Sequence, residues 1–278
     1  MKTNILSMVL MVGASALPLN AAVTAGGIAV IGYNDFQDSF SLVATEHIQA
    51  GEVIYLTNNG WSNLSNSFNG AHPAQGAGNE SIIQLTVTEH IAPGTVISST
   101  ISNSSWSWNT SGLISGQVGG IAAFSQLALD NVSDQIYIFQ GLANNPLANP
   151  TNFIYAMHFG SSEFATWSDS EDIYDGAIPP GLSMEDNTAF LQTDLFAHGD
   201  PEGNNSAWGL NLSSPSILAL QNSTGSKAEW LAAITSASNW GAGMPAPGGG
   251  GLAIHAPEPS RVILVLAGLC ALIGKRRR

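Results

Sequence analysis

Two ten-residue stretches read nearly alike, TEHIQAGEVI at 45–54 and TEHIAPGTVI at 88–97, and each sets a glutamate beside a histidine: Glu46–His47 and Glu89–His90. Both residue types ligate metals and move protons. On a strand, however, neighbouring side chains leave opposite faces. Neither pair can therefore close on one ion unless the chain bulges. Simple alternation puts Ile83, Leu85, Val87, Glu89 and Ile91 on one face, and the histidines on the other with Thr45 and Thr88. Beyond Glu and His, the copies share Ile48 and Ile91 before a turn, Gly51 and Gly94 within it, and Val53-Ile54 and Val96-Ile97 after it. Pro93 fixes the second turn. The spacing predicts a strand–turn–strand scaffold used twice, with His47 and His90 in equivalent places and no shared metal site. Imidazoles converging on one point would overturn that reading.

Other residues offer weaker chemistry. Asp169, Glu171, Asp172 and Asp175 form an acidic run, and Asp200 and Glu202 alternate before Gly203. Oxygen ligands of this kind suit Ca²⁺, but neither run has EF-hand spacing. Both are candidate Ca²⁺ loops, and the metal, if any, is left undetermined. Trp106 and Trp108, two apart on an expected strand, would share a face and could stack on sugar rings. Neither G-x-S-x-G nor H-E-x-x-H occurs, and His72, His158 and His198 stand alone in sequence. A glycosidase pair stays open among the many carboxylates, with nothing marking one pair. The expectation is a protein without enzymatic activity.

These residues must be positioned mainly by strands. Only 10% of residues are charged, which disfavours surface helices. About ten short runs of β-formers, at 26–33, 40–48, 52–58, 82–91, 95–101, 121–127, 134–141, 152–160, 187–193 and 206–212, are separated by Gly, Asn and Ser clusters. This pattern predicts an all-β sandwich. One helix is expected at 227–237, opened by a Ser226–Glu229 capping box and burying Trp230 and Ile234. Between residues 25 and 257 there are 19 acidic side chains and one basic one, Lys227. Such a surface cannot displace counterions from a phosphate backbone, so nucleic acid is excluded as a partner. The single cysteine, Cys270, lies in an apolar tail, so the body has no disulfide and no thiolate site.

Both ends read as addresses. Residues 1–24 have Lys2, an apolar run and small residues, the form of a secretory signal peptide with a signal helix. Residues 241–256, with Gly248–Gly251, read as a linker after a 25–240 domain. Residues 257–278 carry Pro257-Glu258-Pro259-Ser260, a short apolar transmembrane helix and the basic cluster Lys275, Arg276, Arg277 and Arg278. The basic cluster should stay cytoplasmic as a membrane-anchor tail. In the order of its parts this end resembles the PEP-CTERM sorting signal of Gram-negative bacteria, apart from Arg261 just after the motif. The resemblance implies export, transient anchoring in the inner membrane, recognition by an exosortase, and delivery to the cell surface or an exopolysaccharide matrix. Parts of the body, including AGGIAVIGYN (25–34), SDQIYIFQG (133–141) and AIPPGL (177–182), resemble bacterial secreted lamin-tail-like β-sandwiches. That likeness implies no site. The expected role is structural or adhesive. A carbohydrate-binding or Ca²⁺-dependent adhesion module is the alternative, and a secreted hydrolase the third reading.

Overall fold

Strands form where β-branched and aromatic residues recur between turn-forming clusters. The computed structural model describes residues 22–34, 39–68, 82–102, 105–108, 114–118, 133–160, 176–183, 188–192, 207–243 and 251–255. Among these residues the chain is mostly β. The strands are β1 (Ile28–Asn34), β2 (Ser39–Ala44), β3 (Val53–Thr57), β4 (Trp61–Ser62), β5 (Ser67–Phe68), β6 (Ile82–Val87), β7 (Val96–Ser102) and β8 (Ser105–Trp108). They continue with β9 (Ile114–Val118), β10 (Ser133–Gly141), β11 (Pro150–Gly160), β12 (Thr188–Gln192) and β13 (Ala207–Leu210). Helix α1 (Pro215–Ser223), β14 (Gly225–Ser226), α2 (Lys227–Ile234), β15 (Trp240–Ala242) and β16 (Ile254–His255) follow.

Two six-stranded sheets result, ordered β15-β13-β1-β2-β7-β8 and β12-β11-β10-β3-β6-β9. Pairing within them is antiparallel except for the parallel β11–β12 pair. One apolar cluster draws on both sheets: Ile28, Val30, Leu42 and Ile97 from the first, and Ile54, Leu56, Leu85, Ile136 and Ile138 from the second. Full burial of each such side chain contributes about 1.5–3 kcal/mol. The second sheet is apolar on its other face as well. Tyr55, Tyr137 and Phe139 alternate with the core residues and form a second cluster with Trp61, Phe68 and Leu147. Trp61 meets Phe68 edge to face at 5.3 Å and Phe153 at 4.7 Å.

The Ser226–Glu229 capping box is present in full, and α2 buries Trp230 and Ile234 completely. A second helix, α1, was not expected. Ser214 caps it through the Ile217 amide, and Pro215 opens it. The run 40–48 is a strand only to Ala44, and 82–91 only to Val87. The expected strand at 121–127 lies outside the described residues.

The linker expected over 241–256 is not a free tether throughout. Leu252 and Ile254 are 4% and 8% exposed and belong to the core cluster. Leu252 donates to Gly94 O at 2.8 Å, Trp230 Nε1 donates to Ala253 O at 3.1 Å, and the Ala253 amide donates to Gln221 Oε1 at 2.6 Å. Two apolar side chains with a place to bury outweigh the flexibility of the glycines before them. Among the described residues no helix is long and apolar enough to cross a membrane. Residues 1–21 of the signal segment, the motif Pro257–Ser260 and the tail Lys275–Arg278 lie outside the described residues.

Candidate functional site

The two TEHI copies are crossovers between the sheets. The first leads from β2 to β3 and the second from β6 to β7. They also pair with each other. Ile48 and Ile91 exchange both backbone hydrogen bonds at 3.0 Å. Gly51 N donates to Val87 O at 2.7 Å, as Gly94 N does to Ala44 O. Val87 N donates to Glu52 O at 2.9 Å, as Ala44 N does to Thr95 O at 3.0 Å. Every bond maps onto its counterpart when one copy is exchanged for the other. A local pseudo-two-fold axis therefore passes between Ile48 and Ile91. Each copy turns at residues 49–52 or 92–95, closed by Glu52 N to Gln49 O and Thr95 N to Ala92 O. Positive φ at Gly51 (93°) and Gly94 (83°), preceded by Ala50 and Pro93, is the pattern of a type II turn.

This pairing brings His47 and His90 together. With Ile48 opposite Ile91, the two histidines are diagonal neighbours on one face, within reach of long side chains. Ile48 and Ile91 point into the core at 1% exposure, so the imidazoles lie outside, exposed. His47 Nδ1 and His90 Nε2 stand 2.8 Å apart. The ring planes differ by 24° and the centroids lie 4.8 Å apart. That separation is close to the N···N contact plus one ring radius at each end, so the rings meet edge to edge with the two nitrogens facing. By the criterion set from the sequence, the reading of the repeat as scaffold alone is overturned. The copies are equivalent backbone units, as expected, but their imidazoles do converge on one point.

The glutamates go elsewhere. Glu46 Oε1 accepts from the Thr24 amide at 2.8 Å, and Lys227 Nζ reaches Glu46 Oε2 at 2.7 Å and Thr24 Oγ1 at 2.6 Å. The one basic side chain of the body is thereby committed to an ion pair. Glu89 is exposed, not on a core-facing row, because β6 ends at Val87. Thr45 is fully buried and donates its hydroxyl to Gly26 O, whereas Thr88 is exposed. Alternation therefore fails where the chain bends from one sheet to the other.

A second region has the shape of a binding site. A groove of about 550 Å³ runs beside the second cluster, lined by Trp61, Asn66, Leu142, Ala148, Asn149, Pro150, Thr151, Asn152, Phe153 and Pro180. None of these residues is ionisable. The walls are amides, a hydroxyl, aromatic rings and prolines. Asn149 donates to Asn145 O at 3.1 Å and Asn152 to Val23 O at 2.5 Å, which orients both amides. Asn63 ties the β4–β5 hairpin to the Pro179–Pro180 turn through Ile178 O at 3.3 Å, and receives Trp61 Nε1 at 2.8 Å. Sequence reasoning missed this groove, since its walls come from three distant loops.

Trp106 and Trp108 lie on β8, the last strand of the first sheet, opposite Ile101 and Ser99 of β7. The Ca²⁺ candidates Asp169, Glu171, Asp172, Asp175, Asp200 and Glu202 lie outside the described residues, as do His72 and His198. His158 is fully buried on β11, and burial pushes its pKa down to about 4. Burial likewise raises the Tyr155 hydroxyl above its usual range. Glu229 is held below the usual carboxylate range by the Ser226 amide and hydroxyl that donate to it. Compared with protein-family models, with curated proteins and with solved structures, the chain matches none.

Proposed function

We propose that this chain is an exported, adhesive protein of a bacterial cell surface or polysaccharide matrix, delivered by its PEP-CTERM-like end. Its body is a β-sandwich that contacts a neutral glycan through the groove beside Trp61 and Phe153. The observation that supports this best is the lining of the groove: among the described residues it is amides and a hydroxyl between aromatic and proline faces, with no charged side chain. Sugars present hydroxyl edges and apolar C–H faces, which such walls complement. A hydrolase would call for carboxylates or histidines converging in the cleft. The adhesive reading is preferred because the groove carries amides where those groups would stand. Sorting through an exosortase rests on the order of motif, apolar segment and basic end.

Glycan-array binding of the full chain in detergent tests the groove, in Ca²⁺ and in EDTA. Neutral glycans should be retained in both conditions and lost on Thr151→Arg, which places a long cation at an exposed wall position. No glycan bound in either condition would overturn the groove reading. A requirement for Ca²⁺ would move the contact to the acidic loops. Mass spectrometry of the protein recovered from cells tests the address: peptides beyond about residue 260 should be missing, and an intact tail would refute processing.

A further inference from the structure

We propose that His47 and His90 form a two-imidazole site for a late first-row divalent transition ion, Cu²⁺ above Ni²⁺ and Zn²⁺. The two facing nitrogens, 2.8 Å apart, are the observation that carries it. Two ring nitrogens can approach this closely only if one donates a proton to the other's lone pair. An ion bound by both would lie to one side of the N···N line, ~2.0–2.1 Å from each nitrogen. With metal–nitrogen bonds of ~2.0–2.1 Å, two imidazoles in one tetrahedral shell stand ~3.3 Å apart. Reaching that geometry opens the pair by about half an ångström and turns both exposed rings until their lone pairs converge on the ion.

The bookkeeping of protons is simple. In the neutral pair the bridging hydrogen sits on one ring. When the ion takes both lone pairs, that hydrogen moves to the other nitrogen of the same ring, and no net proton is released. From a singly protonated pair, one proton leaves as the ion enters. Water completes the coordination shell.

The frame beneath the pair is rigid. Ile48 and Ile91 are buried and doubly hydrogen-bonded, and a glycine turn follows each. Little backbone ordering is left to oppose binding. Glu46 is held by Lys227 and Thr24, and no group of three or more His, Cys, Asp or Glu side chains gathers among the described residues, so the pair is presented as nitrogen ligands. Imidazole suits Cu²⁺, Ni²⁺ and Zn²⁺, whereas Ca²⁺ requires oxygen. The net charge of −13 favours cation approach. The duplication gains a chemical consequence: each copy supplies one ligand, and neither copy alone makes a site.

The test is titration of the full chain in detergent with CuCl₂, followed by calorimetry and by electron paramagnetic resonance. Expected is saturable binding at one equivalent with hyperfine coupling from imidazole nitrogen, weaker binding of Ni²⁺ and Zn²⁺, and no displacement of Cu²⁺ by CaCl₂. His47→Asn combined with His90→Gln can set the amide oxygen of one side chain against the amide nitrogen of the other where Nδ1 and Nε2 stood. It should preserve the hydrogen bond and the thermal melt while abolishing Cu²⁺ binding. His255→Ala should leave binding unchanged. Cu²⁺ affinity that survives the Asn/Gln pair, or that falls with His255→Ala instead, would overturn the assignment.

Discussion

The two copies of the ten-residue motif share their backbone, their turn and their hydrogen bonds, and differ in what leans on them. The first copy is sealed at its glutamate: Thr24, near the start of the described chain, and Lys227 of α2 close on Glu46, while the Ala50–Gly51 turn faces solvent. The second is sealed by the end. Leu252 lies on the Gly94 turn, while Glu89 faces solvent. One backbone frame therefore accepts two different partners, a charged one at its glutamate and an apolar strap at its glycine. Duplication fixes the local geometry, and the surroundings decide which side chains stabilise it.

The sharpest way to break that equivalence is at the glycines. A Cβ on Gly94 would stand 1.8 Å from Leu252 O, at a φ of 83°. Gly94→Ala should expel the strap and cost roughly 4 kcal/mol, from strain and the lost burial of Leu252 and Ile254. Gly51→Ala, at a φ of 93° on an exposed turn, should cost about 1 kcal/mol. Urea melts of the two variants measure the difference, and equal losses would show that the strap does not depend on Gly94.

A second contrast separates the exposed pair from the buried histidine. His158 titrates at 6.5 when unfolded and at about 4 when folded. Below about pH 6.5 the unfolded chain takes up a proton that the folded chain refuses. Stability should therefore fall as pH drops through this window, by roughly 3 kcal/mol in all, and be unaffected by this group above it. The slope should persist in the Asn/Gln variant of the pair and shrink in His158→Gln, as read from urea melts across the window.

Smaller effects refine the comparison. Glu46→Ala removes a half-buried ion pair and a backbone acceptor and should cost about 1–2 kcal/mol. Glu89→Ala should stay within about 0.5 kcal/mol. His47→Ala and His90→Ala each remove the same exposed hydrogen bond, so their thermal melts should shift equally and by little. Unequal shifts would mean that the pseudo-two-fold fails at the rings.

Much of the fold could be read along the chain because its signals are local. The run of β-formers in VIYLT and the alternation in IIQLTV mark β3 and β6, and Ser226 with Glu229 announces α2. Ser214-Pro215 is an equally local signal for α1, set close behind the strand β13. Leu252 and Ile254, two apart, were a readable hint that the glycine-rich stretch ends in a docked segment. The site was less legible. That His47 and His90 were special showed in the repeat, but their meeting depends on Ile48 pairing with Ile91. No property of either copy taken alone specifies that long-range register. The groove left no trace in the pattern, because Asn66, Thr151 and Pro180 become neighbours only after three loops have folded over one aromatic cluster.

The strap at 251–255 also bears on mechanics. Its last residue, His255, is held in parallel register with Ser226, and only Ala256 separates it from Pro257. One extended residue spans ~3.5 Å. Anything that cuts, grips or pulls at the motif works almost against the body's wall. Tension on the C-terminal segment would enter the fold as a pull along the β14–β16 seam and the Gly94 turn, where the sheets exchange strands, and would meet no slack leash first.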